Sequence, residues 1–251
     1  MALVHSSSKI VTDGLTYMFD ISNSKCYVGT GNTANTIVNA GICTVSGAVY
    51  NTSKPKSFVF DGTDDYITID KSYNELGLVT GDNYTIIAWI YIDSNFGQEK
   101  RNIVTNFSGA TQYFEWIVNN TGTPESGSNN YAMDFACNST SGSDGGFSGW
   151  GDSDISIPLD QWSMVSMRFS SNAVSFSIND NFYNGASSTN FGEGTMNNNG
   201  NDVYIGKKGK DWIFGGEYFK GKISSVMFYN RLVSNNELLE NFDALKGRYG
   251  L

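Results

Sequence analysis

The sequence predicts an all-β protein: a jelly-roll β-sandwich of two antiparallel sheets with one short C-terminal helix. Short runs of β-branched and aromatic residues recur along its 251 residues, separated by segments rich in Gly, Asn, Ser and Thr. Glycine is abundant, at 28 residues, and proline is scarce, at 3, which is typical of many strands joined by tight turns. A helical pattern occurs close to the C-terminus.

The predicted strands follow one another along the chain. They cover residues 15–20, 57–60, 66–69, 84–93, 102–106, 113–118, 131–136, 162–169, 173–178, 202–206 and 219–229. Segment 84–93 is almost entirely apolar, so we expect a central strand that is covered on both faces. Residues 22–56 are expected to form a long connection with one or two minor strands, and residues 138–154 the longest loop. The tryptophans within strands are predicted to lie in the core: Trp89, Trp116 and Trp162.

Turn residues predict two hairpins. The Asp-Gly pair within 61–65 predicts a tight turn, with residues 66–69 as the return strand. The short link 170–172 predicts a hairpin between strands 162–169 and 173–178.

The helix has a clear start. Ser234 and Glu237 have the spacing of a capping box, in which each side chain bonds to the other residue's amide. One face then carries the apolar side chains Leu238, Leu239, Phe242 and Leu245. Gly247 is predicted to be the C-cap.

Composition and charge limit the partners. A net charge of −9 opposes binding to nucleic acid and to anionic lipid. Apolar runs are far shorter than the ~20 residues of a membrane helix, so we expect no membrane insertion. We expect one domain over residues 1–251, with 1–13 as an N-terminal tail or arm. The first residues lack an apolar stretch after a basic one, which predicts synthesis in a cytoplasm without a signal peptide.

The cysteines predict neither a disulfide framework nor a zinc site. Cys26, Cys43 and Cys137 are odd in number and show no Cys-x-x-Cys spacing. Cys26 and Cys43 could pair, but we favour buried free thiols.

Four segments resemble the laminin-G-like branch of the concanavalin A-like lectin/glucanase superfamily. Their sequences are SFVFDGTDDYITI (57–69), YTIIAWIYI (84–92), DQWSMVSMRF (160–169) and FKGKISSVMFYNRLVSNNEL (219–238), the last followed by NFDAL (241–245). The resemblance implies the sandwich fold, and it leaves the function open because this fold carries lectins, adhesion domains and hydrolases.

Both ends of the chain are similar to structural proteins of tailed bacteriophages, especially those of marine cyanobacteria. The similar segments are 9–20 with Gly29 and Gly31, and 241–249. This resemblance implies a virion component such as a tail, fibre or capsid-decoration protein. Its partners would then be other virion proteins, host-surface polysaccharide and further copies of itself, with a trimer favoured.

Exposed aromatic residues in small polar loops are candidates for stacking on sugar rings. The candidate carbohydrate-binding residues are Phe147, Trp150, Asp152, Trp212 and Tyr218. An equally open interpretation is that these aromatic side chains cover an edge of the sandwich or contact a neighbouring subunit.

Calcium is the one cofactor that the sequence suggests. Asp61, Asp64 and Asp65 form the densest set of carboxylates, which are ligands that Ca²⁺ prefers. Ordinary turn chemistry explains the same three residues without a metal.

Catalysis is not expected. His5 is the single histidine and lies in the polar N-terminal segment, where no triad can be built on it. A glycosidase needs two facing carboxyl groups, but Glu115 stands alone on its strand, and Asp152 and Asp154 lie in a loop. We therefore predict a non-catalytic virion module that recognises a host glycan through its loops. A purely structural decoration protein and a glycan hydrolase are the alternatives.

Overall fold

The computed structural model describes residues 8–78, 83–97, 100–106, 113–119, 131–138, 147–150, 156–170, 173–187, 202–208 and 217–251. The strands in this part are β1 (Leu15–Asp20), β2 (Thr33–Asn35), β3 (Ile42–Ser46), β4 (Val49–Asn51), β5 (Ser57–Asp61), β6 (Tyr66–Ser72), β7 (Tyr84–Tyr91), β8 (Lys100–Thr105), β9 (Tyr113–Asn119), β10 (Ala132–Asn138), β11 (Phe147–Trp150), β12 (Trp162–Ser170), β13 (Ala173–Ile178), β14 (Asn181–Ser187), β15 (Asp202–Ile205) and β16 (Lys220–Tyr229). The helix is α1 (Asn235–Tyr249). No helix of the described residues is long and apolar enough to cross a lipid bilayer.

The strands form two antiparallel sheets that face each other across one core, as predicted. Sheet A has the order β14-β13-β12-β7-β16-β5-β4, with β1 also pairing with β16. Sheet B has the order β11-β10-β9-β8-β15-β6-β3-β2. Each sheet therefore has an inner face toward the core and an outer face on the opposite side.

Strand β7 lies at the centre of sheet A, between β12 and β16. All but the last of its eight residues are buried. Ile86, Ala88 and Ile90 join the core between the sheets, whereas Ile87 and Trp89 pack with α1 on the outer face. The predicted burial of this strand on both faces is confirmed.

Helix α1 covers the outer face of sheet A through aromatic stacking. The ring of Tyr249 lies parallel to that of Trp89, with centroids 3.8 Å apart, and Phe242 stacks on the same indole at 5.9 Å. Leu238 and Leu245 are buried beside these rings. Large aromatic surfaces of this kind dominate packing energy, so the helix is anchored chiefly by this stack.

The helix begins where the sequence predicts and ends later. The Ser234 side chain accepts a hydrogen bond from the Glu237 amide, which confirms the capping box. The prediction that Gly247 ends the helix is wrong, because the C-cap is Gly250, in the left-handed conformation with φ of 79°. Tyr249 has to remain helical for its ring to reach the tryptophan of β7, and this contact extends the helix beyond the first glycine.

Both ends of the described chain lie on the outer face of sheet A. The Val11 amide donates to Asn241 Oδ1 at 2.8 Å, and the Tyr229 hydroxyl donates to the Val11 carbonyl at 2.9 Å. Arg248 Nη1 forms an ion pair with the buried carboxylate of Asp20 at 2.7 Å. These contacts fix α1 and the segment before β1 against the same layer.

Several strands are absent from the sequence prediction. Segment 22–56 holds three short strands, β2 to β4, where one or two are expected. Strand β11 lies inside the predicted loop 138–154, and β14 (NFYNGAS) follows β13 without any sequence signal. Each is short and interrupted by Gly, Asn or Ser, so pairing with the neighbouring strands determines its conformation.

The two cysteines whose side chains the structure describes, Cys26 and Cys43, are buried free thiols, as favoured from the sequence. Cys43 Sγ lies 2.7 Å from the hydroxyl oxygen of Tyr17. Burial raises the pKa of Cys26 to about 11 and that of Cys43 to about 12, so both remain protonated at neutral pH.

The start of α1 generates a pH-dependent prediction. Hydrogen bonds from Arg231 and Ser234 lower the pKa of Glu237 from its ordinary 4.5 to about 2. A lowered pKa stabilises the fold above pH 4.5, and this contribution is lost as the pH falls toward 2. We expect E237Q to lower the free energy of unfolding by about 1 kcal/mol at pH 7, measured by urea denaturation, with the difference vanishing near pH 2.

The matched control is E240Q, on an exposed position of the same helix. It should leave the unfolding free energy unchanged at both pH values. An equal loss in both variants would contradict the role given to the capping box.

Candidate functional site

Among the described residues, α1 covers the outer face of sheet A, whereas no helix covers the outer face of sheet B. In β9, Phe114, Trp116 and Val118 belong to the core cluster between the sheets. The alternate residues therefore point to the outer face, and two of them are polar, Glu115 and Asn119.

Polar side chains of β8 to β10 on this face are buried. Exposure is 1% for Glu115, 4% for Asn119 and 1% for Asp134. The Asn119 amide donates to Asp134 Oδ2 at 2.7 Å. On β8, fully buried Asn102 donates from Nδ2 to the carbonyl of Lys207 at 3.1 Å. This part of the face is thus a hydrogen-bonded polar layer.

Beside this layer lies a group that we call the tyrosine cluster, formed by Tyr66, Tyr204, Tyr218 and Lys207. The ring of Tyr66 is 6.0 Å from that of Tyr204 and 6.4 Å from that of Tyr218, measured between centroids. The Lys207 ammonium lies 3.5 Å from the Tyr204 centroid and 5.1 Å from that of Tyr66. All four side chains are half-buried, so they present aromatic surface and one positive charge to solvent.

Strand register explains how the cluster forms. Tyr204 pairs with Thr68 of β6, two residues from Tyr66, so that both tyrosines share the outer face. Burial lowers the pKa of Lys207 and raises that of Tyr204, as expected for groups partly shielded from water.

A buried arginine connects the cluster to the corner between β5 and β6. Arg101 Nη1 donates to the carbonyls of Tyr218 at 2.7 Å and of Gly62 at 3.1 Å, and its Nε donates to that of Phe96. Arg101 is 6% exposed. Its guanidinium group thus holds three chain segments together beneath the surface.

The structure brings one of the five predicted sugar-binding residues into this site. Tyr218 belongs to the tyrosine cluster, whereas Asp152 and Trp212 lie outside the described residues. The prediction that Phe147 and Trp150 lie in a loop is wrong, because both belong to β11, which pairs with β10 at the edge of sheet B. Their side chains lie outside the described part of the chain.

The sequence reasoning missed three members of the cluster. Tyr66 and Tyr204 are predicted only as residues of strands 66–69 and 202–206, and Lys207 directly follows the second of these segments. Their signal is the alternation of tyrosine with buried aliphatic residues, as in Tyr66-Ile-Thr-Ile, which places each tyrosine on the face away from the core. The alternation does not say which tyrosines become neighbours.

The candidate calcium ligands lie together at the corner. Carboxylate oxygens of Asp61, Asp64 and Asp65 lie within 4.8 Å of one another. Asp65 Oδ2 accepts a hydrogen bond from the Asp61 amide at 2.8 Å, and Asp61 Oδ1 accepts one from the Thr63 amide at 2.7 Å. Burial, followed by the neighbouring carboxylates, raises the pKa of Asp65. The site fits an oxygen-liganded cation, but the same bonds also brace a turn without one, so calcium stays a prediction.

The predicted hairpin at this corner is wrong. Strand β5 pairs with β4 and β16 in sheet A, whereas β6 pairs with β3 and β15 in sheet B. Residues 61–65 therefore carry the chain from one sheet to the other. The Asp-Gly signal specifies a tight turn but not which strands pair on either side of it.

A family profile described as the concanavalin A-like lectin/glucanases superfamily matches residues 61–239. The chain belongs to this superfamily. The match includes the corner, β7 and the tyrosine cluster, and it confirms the predicted resemblance to the concanavalin A-like superfamily. None of the curated protein sequences matches the chain.

Solved structures of this superfamily fold share little sequence with the chain. Domain 4 of AbnA, a GH43 extracellular arabinanase from Geobacillus stearothermophilus in complex with arabinotriose, superposes with a TM-score of 0.60 at 17% identity, over 90% of this chain and 97% of that one. Trypanosoma rangeli sialidase in complex with sialic acid gives 0.62 at 12%, over 95% of this chain but 34% of the sialidase. The botulinum neurotoxin serotype D binding domain gives 0.64 at 12%, over 92% of this chain and 52% of that one. Identities this low support the concanavalin A-like fold alone.

Two variants at the corner distinguish a structural role of the carboxylates, as hydrogen-bond acceptors within the turn, from metal binding. We expect D65A to lower the free energy of unfolding by about 1–3 kcal/mol, because it leaves the Asp61 amide without its buried acceptor. D64A, which removes an exposed carboxylate, should cost less than about 0.5 kcal/mol. Urea denaturation in EDTA measures both.

The same measurements in calcium chloride complete the test. If the wild-type chain gains stability from calcium and both variants lose that gain, Asp64 and Asp65 are metal ligands. A gap between D65A and D64A that is unchanged by calcium is the result expected for bracing alone.

Proposed function

We propose that the protein is a non-catalytic carbohydrate-binding module on the surface of a virion, with the tyrosine cluster as its sugar-contacting surface. The observation that carries the proposal is three tyrosine rings grouped on the sheet face that lies away from α1. Tyrosine combines a flat apolar ring, which suits the C–H face of a pyranose, with a hydroxyl group for hydrogen bonding.

The residues around the cluster suit a polar, uncharged ligand. Asp202 accepts a hydrogen bond from the Tyr204 hydroxyl at 3.4 Å, and Lys208 forms an ion pair with Glu217 at 3.1 Å. Positive and negative groups therefore alternate around the rings. A neutral glycan would find both donors and acceptors there, whereas a strongly charged ligand would meet both signs of charge.

Two carboxyl groups on this face raise the question of hydrolysis. Glu115 pairs in register with Ala136, so Asp134 is its diagonal neighbour on the same face, and a glycosidase uses two neighbouring carboxyl groups. Both carboxyl groups are 1% exposed, and Asp134 accepts a hydrogen bond from Asn119. A substrate does not reach groups buried to this degree, which supports binding without catalysis.

The virion assignment is supported by the sequence resemblance of the two chain ends to tailed-phage structural proteins. Segments 9–20 and 241–249 pack together on the outer face of sheet A, with Val11 bonded to Asn241 and Asp20 to Arg248. In this proposal, that side of the molecule contacts other virion proteins or further copies of the chain, and the opposite side contacts the host polysaccharide.

Two neighbours of similar fold are known with sugars. The AbnA domain is in complex with arabinotriose, and the sialidase is in complex with sialic acid. By analogy with the AbnA domain, 97% of which this chain covers, we propose a glycan as the ligand class of the module.

A glycan array tests the proposal. We expect the wild-type chain to retain at least one neutral host-surface glycan, and Y66A and Y218A each to weaken binding about tenfold or more, because each removes a stacking surface. Y218F should bind nearly as well as wild type, since it keeps the ring. Repeating the array with a calcium chelator shows whether binding needs the metal.

The matched control is Y91A. Tyr91 is half-buried beneath Lys222, whose ammonium lies 4.1 Å from the ring centroid, but it lies on sheet A. This variant should retain the glycan. A silent array, with the protein present in stoichiometric copies in purified particles, would instead support the purely structural role. Release of reducing sugar that E115Q abolishes would support the hydrolase.

A further inference from the structure

A pocket of about 380 Å³ lies beside the last turn of α1 and shares no residue with the tyrosine cluster. It is lined by Ser22, Lys54, Pro55, Lys56, Gly247 and Arg248. Its volume lies in the range of small-molecule sites, which are about 300–1,000 Å³.

Three of the six lining residues are basic, on a chain with net charge −9. Neither Lys54 nor Lys56 forms an ion pair with any described residue. The pocket is therefore a local concentration of positive charge that other side chains leave largely uncompensated.

Hydrogen bonds fix two parts of the pocket wall. The carbonyl of Lys56 accepts hydrogen bonds from the hydroxyls of Ser224 at 2.7 Å and Ser22 at 3.4 Å, which fixes its backbone. Arg248 uses Nη1 for both oxygens of the buried Asp20 carboxylate, and its side chain also interacts with that of Tyr249. These two contacts fix the guanidinium group at the wall of the pocket.

Gly247 gives an independent indication that the pocket is kept open. Glycine is among the least favourable residues inside a helix, and Gly247 is not the C-cap, which is Gly250. A Cβ atom added at Gly247 would meet no atom within 4 Å. Packing thus gives no reason for the glycine, whereas its missing side chain leaves the mouth of the pocket free.

The geometry points to an anion-binding site in this pocket, for the carboxylate, sulfate or phosphate of a ligand about as large as one sugar residue. Lys54, Lys56 and Arg248 would surround the anionic group and donate charge-assisted hydrogen bonds to it. The site is separate from the proposed contact of the tyrosine cluster with a neutral glycan, so either one can fail without the other.

The two lysines also lie near the carbonyl end of α1, where positive charge stabilises a helix. That role alone requires no ligand. It predicts that replacing the lysines lowers the midpoint of thermal unfolding and changes no binding, so the two roles give different results.

The test is calorimetric titration of the full chain in 50 mM sodium chloride with three probes: a galacturonic acid tetrasaccharide, galactose 6-sulfate and inorganic phosphate. The double variant K54Q/K56Q should bind the preferred probe about tenfold or more weakly than wild type. The control K9Q/K71Q removes the same charge elsewhere and should bind as wild type does. Arg248 is left intact because its loss would leave the buried Asp20 carboxylate without its ion-pair partner.

A second variant tests the mouth of the pocket. G247A should raise the midpoint of thermal unfolding, because alanine favours the helix, and weaken binding of the sugar probes severalfold. Preference for the acidic sugars identifies a saccharide site, and preference for phosphate a free-phosphate site. Failure of all three probes to bind wild type, or equal weakening in K54Q/K56Q and K9Q/K71Q, would overturn the assignment.

Discussion

The fold depends on covering both faces of β7. This strand carries apolar side chains on alternate sides, and a sheet with only one packed face would leave Ile87 and Trp89 in water. The stack of Tyr249 and Phe242 on Trp89 holds α1 over the outer face, and the helix then shields both β7 side chains from water. The capping box and the ion pair between Arg248 and Asp20 then hold the two ends of the helix in position.

Covering one face with a helix makes the two outer surfaces unequal. Sheet A is covered on its outer face by α1 and by the segment before β1. Sheet B carries on its outer face a hydrogen-bonded polar layer and the tyrosine cluster. This asymmetry, rather than any acid or base in a cleft, is the physical basis for assigning recognition to sheet B.

Features set by local sequence could be predicted, and features set by register could not. The apolar run of β7 and the Ser234 capping box depend on neighbouring residues alone, and both are confirmed. The end of α1 depends on a contact between Tyr249 and a strand far away in sequence. The tyrosine cluster likewise forms only when β6 and β15 pair, which alternation does not reveal. The same limit explains why a turn between sheets resembles a hairpin in the sequence.

The most direct test of the tyrosine cluster as the sugar-contacting surface is the change in amide chemical shifts when a neutral oligosaccharide that binds the chain on a glycan array is added. We expect the shifts to change in residues 66–68, 204–207 and 217–219, around the tyrosine cluster, and to stay constant in residues 235–249 of α1. Changes confined to α1, with the amides around the cluster unaffected, would contradict this assignment.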